Sequence, residues 1–202
     1  MELREAARLL YRGYIAQLAV AAPAPALAIL AALGAETAAP ALAVLLALNL
    51  AVYIAFISRG FHALWRMGLR WAFWVAWGPP VIAALFFAVS AAVASYLSNR
   101  PDLLSEGISA LALRLSRDPL FVAVSFVLDL LALLVLAAKA LVLRDLWRRT
   151  GEGLFRASFY LMIAGILSAL LIAINPAVVL VAASLIFAEY LAELFAYREV
   201  SR

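Results

Sequence analysis

The chain has 202 residues, is 68% hydrophobic and 14% charged, and carries a formal net charge of +4 with no cysteine. A soluble domain is about half apolar and about a quarter charged, so one aqueous core of this size cannot hide so much apolar surface, and lipid is the expected solvent for much of it. The composition excludes disulfides and thiolate metal sites, and with His62 the only histidine it also excludes bis-histidine haem ligation; the arginines are dispersed at the ends of apolar runs, unlike a nucleic-acid-binding patch.

Residues 1–12 mix Glu2 and Glu5 with Arg4, Arg8 and Arg12, and no short apolar region with a small-residue cleavage site follows, so no signal peptide is read there. Beyond them lie six apolar runs, at about 13–33, 38–57, 71–97, 119–143, 154–174 and 176–197. A helix needs about 20 such residues to cross a bilayer. The runs do not alternate with period two, which favours helices over barrel strands. The expected fold is all-α: one transmembrane domain over 1–202, a bundle of six spans.

Span 1 contains Pro23-Ala24-Pro25 and span 3 contains Gly78-Pro79-Pro80. An interior proline removes a backbone donor and crowds the carbonyl four residues back, so both spans are expected to be kinked. Between spans 3 and 4, Leu104, Ile108, Leu111 and Leu115 share one helical face, which predicts a short amphipathic external helix near 103–117. Asp118-Pro119 and Asn175-Pro176 are helix-start signals for spans 4 and 6.

Charge gives the orientation. With Lys139, inside span 4, counted with its nearest end, thirteen of the sixteen Lys and Arg residues belong to the side that holds the region before span 1, alternate gaps and the region after span 6, whereas Arg100, Arg114 and Arg117 hold the other side. That bias predicts cytoplasmic N- and C-termini in a cell membrane. Trp65, Trp71, Trp74, Trp77 and Trp147 fall near the same basic ends, where indole rings suit the headgroup region.

Two basic gaps echo each other. Leu64-Trp65-Arg66-Met67-Gly68 is matched by Leu146-Trp147-Arg148-Arg149-Thr150-Gly151, and each is followed by a second aromatic and basic stretch. The match suggests a duplicated hairpin, 42–97 and 124–174, although interfacial anchoring by Trp and Arg accounts for it equally well. The stretch from Leu141 to Arg198, with its basic turn Arg148-Arg149-Thr150-Gly151 before two closing apolar helices, resembles the C-terminal part of a group of archaeal multi-spanning membrane proteins of unknown function. The resemblance implies an archaeal source and supplies no activity or site residues. Arginine-heavy, Asn/Gln-poor usage points to a thermophile.

Ionisable residues inside lipid need a partner or a purpose. Asp129 lies ten residues into span 4, and Asn49 eleven into span 2, each about 15 Å deep at 1.5 Å per residue. With the interruptions at Pro23 and Pro79 they make a candidate mid-membrane site for a small solute or cation. The same residues also fit a plain hydrogen bond between helices. Lys139, Glu189 and Glu193 fall at similar depth near the inner surface and form a candidate ion pair, with independent snorkelling as the alternative. His62 reads as an interfacial polar residue.

No Gly-x-Ser-x-Gly, His-Glu-x-x-His or Walker-type motif occurs, so no enzyme activity, catalytic residue, cofactor or metal is expected. The expected function is binding or transport of a small solute or cation. The alternative is a non-catalytic accessory subunit of a larger membrane complex. The expected partners are the lipid bilayer and other membrane subunits or further copies of the chain, not nucleic acid. Small-residue runs at Ala19–Ala28 and Ala91–Ala94 suit close helix packing in either case.

Overall fold

A computed structural model of the chain describes residues 2–32, 37–99, 117–171 and 178–202. The described residues are helical, with no strand among them. In chain order the helices are α1 (Leu3–Ala21), α2 (Ala24–Ala32), α3 (Ala38–Val52), a π-helical segment (Tyr53–Ser58), α4 (Arg59–Arg66), α5 (Ala72–Ser98), α6 (Pro119–Thr150), α7 (Gly153–Leu171) and α8 (Val178–Ser201). Among the described residues, five stretches are long and apolar enough to cross a membrane: Leu3–Leu30, Pro40–Arg66, Ala72–Tyr96, Pro119–Thr150 and Val178–Ser201. The apolar stretch of α7, Gly153–Ala169, is shorter. The chain is therefore a membrane-embedded helical protein. The predicted external helix near 103–117 lies outside the described residues but for Arg117, and Asn175-Pro176 lies wholly outside them.

The prolines act in different ways. At Ala22 and Pro23 the helix is interrupted, and α2 begins at Ala24 with Pro25 in its first turn, where a missing N–H costs little. The Pro79-Pro80 pair does not end its helix, because α5 runs from Ala72 to Ser98 with both inside. Pro79 leaves the carbonyl of Val75 without its helical donor. The Tyr53 hydroxyl donates to that oxygen, so the π-helical segment supplies what the proline removes. At the start of α6 the carboxylate of Asp118 accepts hydrogen bonds from the N–H groups of Leu120 (2.9 Å) and Phe121 (3.1 Å), with Pro119 in the first helical position.

The chain forms two compact units, one of residues 1–76 and 136–202, the other of residues 77–135. In the first, buried side chains gather where α1, the π-segment, α4 and the ends of α6 and α8 meet. Leu10, Ile57, Phe61, Leu64, Val142, Leu143, Leu146, Phe155 and Tyr197 are all at most 1% exposed there. Glycine permits the closest approach. A Cβ at Gly13 would stand 2.7 Å from Ile57 Cγ1, and one at Gly60 would stand 2.5 Å from Leu10 Cγ. In the second unit no described residue is buried, and Leu120, Phe126 and Phe86 present large apolar side chains outward. An isolated pair of helices can bury little of its own surface, and lipid removes the need to.

The two echoing turns share a stop signal. Gly68 (φ +89°) and Gly151 (φ +72°) both take the left-handed conformation that glycine tolerates best. At the first, the N–H groups of Gly68 and Leu69 return to the carbonyls of Trp65 and Leu64, the bonding pattern of a Schellman cap. Arg149 ties the two turns together by donating to the Met67 carbonyl at 3.0 Å. Arg4 donates to the Ser201 carbonyl at 3.2 Å, so the two ends of the chain lie side by side.

Candidate functional site

Helix α8 carries Glu189, Glu193 and Tyr197 at spacings of four, which places all three on one face. Lys139 of α6 meets that face. Its Nζ lies 2.6 Å from Glu193 Oε2 and 3.1 Å from Glu189 Oε1. The side chain of Glu193 is fully buried, that of Glu189 is 3% exposed and that of Lys139 is 15% exposed. One ammonium thus stands between two buried carboxylates, with only its own side chain partly exposed.

Tyrosines close the cluster. Lys139 Nζ lies 5.6 Å from the centre of the Tyr14 ring, within range of a cation–π attraction. The Tyr14 ring meets Tyr190 edge-on at 4.8 Å and stacks near Tyr197 at 5.8 Å, and Tyr197 in turn packs on Phe155 at 5.2 Å. Tyr190 donates its hydroxyl to the Tyr14 carbonyl at 2.6 Å, joining α8 to α1. Tyr14 and Tyr197 bring their hydroxyls beside Glu193. The Tyr197 hydroxyl and Glu193 Oε1 are nevertheless buried without a well-formed hydrogen bond.

Next to the cluster is a cleft of about 510 Å³ among α1, α3 and α8. Leu18, Ile186 and Phe187 give it apolar walls, and Tyr190 stands at the boundary between cleft and cluster. Its polar wall is a pair of amides, Gln17 donating to the Asn49 side-chain oxygen at 3.0 Å. Each amide keeps further donors and acceptors after that bond, so a ligand's polar group can be held against them. The cleft suits a small molecule with an apolar body and a hydrogen-bonding end.

The structure thus brings together Lys139, Glu189 and Glu193, and places Asn49 on the cleft wall with Gln17. Pro23 is exposed between α1 and α2, where its carbonyl accepts from Leu27 N–H at 3.1 Å. Asp129 and Pro79 belong to the second unit. Asp129 is exposed on α6 and makes no hydrogen bond or ion pair among the described residues. Gln17 and the three tyrosines, Tyr14, Tyr190 and Tyr197, are not among the residues the sequence points to. The Glu189, Glu193, Tyr197 periodicity was a usable signal, because three polar groups at four-residue spacing make a polar stripe on an apolar helix. No group of three or more potential ligands for a metal ion occurs among the described residues. No protein-family model, curated protein or solved structure matches the chain.

Proposed function

We propose that the chain is an integral protein of the cell membrane with six spans and both termini cytoplasmic, and that it binds a small, partly apolar solute in the cleft of its first unit, as a transporter or carrier would. The observation that carries the binding reading is the Gln17–Asn49 amide pair set in the apolar wall of that cleft. Polar side chains between membrane helices are expensive unless they bond to each other or to a ligand. The orientation is supported by the basic bias of alternate gaps and by the proximity of the two chain ends.

The test of binding is photolabelling of the reconstituted protein with a diazirine-bearing short-chain alkanol, an amphiphile of the required class. Label is expected on α1, α3 and α8, and its loss is expected in Ala183→Trp, which fills the cleft. Label spread evenly over the lipid-facing surface, unchanged in Ala183→Trp, would contradict the proposal. The natural chain lacks cysteine, so single cysteines at Thr37 and Ser201 report topology directly. Six spans with cytoplasmic termini require Thr37→Cys to react from outside and Ser201→Cys from inside.

A second reading, an accessory subunit of a larger membrane complex, is favoured by Asp129. An exposed carboxylate about 15 Å into an apolar helix, with no partner among the described residues, suits a basic group on another subunit. Asp129→Leu would then abolish co-purification with that subunit while leaving cleft labelling intact.

A further inference from the structure

The ionic cluster has an uneven charge count: two carboxylates, Glu189 and Glu193, face one ammonium, Lys139. The charged and titratable groups around it are Lys139 on α6, Tyr14 on α1, Tyr53 on the π-segment, and Glu189, Tyr190, Glu193 and Tyr197 on α8. None of these brings a second positive charge. An uncompensated charge among buried groups is costly. Something positive must therefore complete the site.

A metal cation fits poorly. The ammonium already occupies the space between the carboxylates, at 2.6 Å and 3.1 Å, and a second cation would have to sit against it. A proton needs no such room. The two carboxylates are also unequal. Glu193 has the shorter contact to Lys139, 2.6 Å, so it is the closer partner of the ammonium. Glu189 has the longer contact, 3.1 Å, and its other oxygen accepts from Lys139 only at 3.5 Å. Glu189 Oε1 and both oxygens of Glu193 are buried without a well-formed hydrogen bond, so the cluster holds more buried acceptors than donors aimed at them.

We propose that the Lys139–Glu189–Glu193 cluster is a binding site for one exchangeable proton, carried by Glu189, while Glu193 remains the anion paired with Lys139. With the proton bound the cluster is neutral, and without it the cluster holds one excess negative charge. Lys139 is the most exposed member of the triad and gives the proton its way in and out. Tyr190, adjacent to Glu189 in the chain, forms part of the cleft wall, so the two charge states present different surroundings to whatever the cleft holds. The inference stands whether or not the cleft takes a solute.

Infrared spectroscopy of the full chain in bilayers at neutral pH tests it, read at the carbonyl stretch of a protonated carboxyl. One such band is expected in the parent, shifting on transfer to deuterium oxide. Glu189→Gln should abolish it. Lys139→Met, which removes the only ammonium, should about double it by making both carboxyls neutral. Asp129 is another carboxyl within an apolar helix, so Asp129→Asn is the control and should leave the Glu189 band in place. No band in the parent, a band that Glu189→Gln leaves untouched, or a band removed by adding sodium at constant pH would each overturn the proposal. The parent spectrum alone decides the first and third outcomes, so a variant that fails to fold does not rescue the idea.

Discussion

Helix α6 carries two ionisable side chains within its apolar run, ten residues apart, and they are treated in opposite ways. Lys139 is drawn into a cluster with two carboxylates, whereas Asp129 is exposed with no partner among the described residues. The first sits in a unit with a packed core, the second in a unit with no buried described residue. An apolar run thus says little about where a polar residue inside it will be satisfied. That depends on whether neighbouring helices offer a matching face, which Glu189 and Glu193 do for Lys139.

The contrast can be broken by mutation. The largest expected effect is at the cluster. Glu193→Ala removes the closest partner of Lys139 together with a fully buried side chain, and should cost about 3–5 kcal/mol of stability. Asp129→Leu should instead ease insertion, by about 2.5–3.5 kcal/mol on translocon scales. Unfolding in mixed micelles and a glycosylation-based insertion assay read the two effects. Equal losses at both positions would erase the distinction.

Close packing comes next. Gly60→Val forces branched carbon into the Leu10 side chain and should cost about 1–3 kcal/mol, whereas Gly153→Ala, with nothing within 4 Å of the added carbon, should be close to neutral. Tyr53→Phe removes the donor to the Val75 carbonyl and should cost about 1–3 kcal/mol if that oxygen stays dry. Replacing Pro79 by Ala in the same background should recover part of the loss, because it restores the helical donor. The smallest effect is expected at the cleft wall. Gln17→Leu should cost about 0.6 kcal/mol, the mean for polar contacts between membrane helices, while reducing alkanol labelling strongly. A large stability loss there would recast the amide pair as structural.

Much of the helical architecture is legible in the sequence, for a physical reason. Runs such as Pro119–Leu143 have no alternative to helix in lipid, since every backbone group must be bonded within its own segment. The Asp118-Pro119 start and the glycine stops at Gly68 and Gly151 follow from local backbone chemistry. The site was only partly legible. Depth along a helix can be counted from its ends, which is how Lys139, Glu189 and Glu193 come to the same level. Azimuth cannot be counted that way when apolar residues surround the whole helix and leave no amphipathic face. Asn49 and Asp129 were therefore matched by depth alone, and the amide that bonds Asn49 is Gln17. The π-helical segment was not legible either. Its ladder is widened where Tyr53 turns toward Val75 and where Ile57 packs against Gly13, both tertiary demands.

The most direct test of the cluster as one closed ionic unit is the stability of a short variant series. Lys139→Met alone should lower the unfolding free energy by about 3–5 kcal/mol, and Glu193→Gln, after which Glu189 can release its proton and pair with Lys139, by less than that but more than about 1 kcal/mol. The triple variant Lys139→Met, Glu189→Gln, Glu193→Gln removes every charge together and should recover most of that loss. Single variants that cost less than about 1 kcal/mol, as exposed pairs do, or a triple variant as unstable as the sum of its parts, would contradict a buried cluster held together by its own charges.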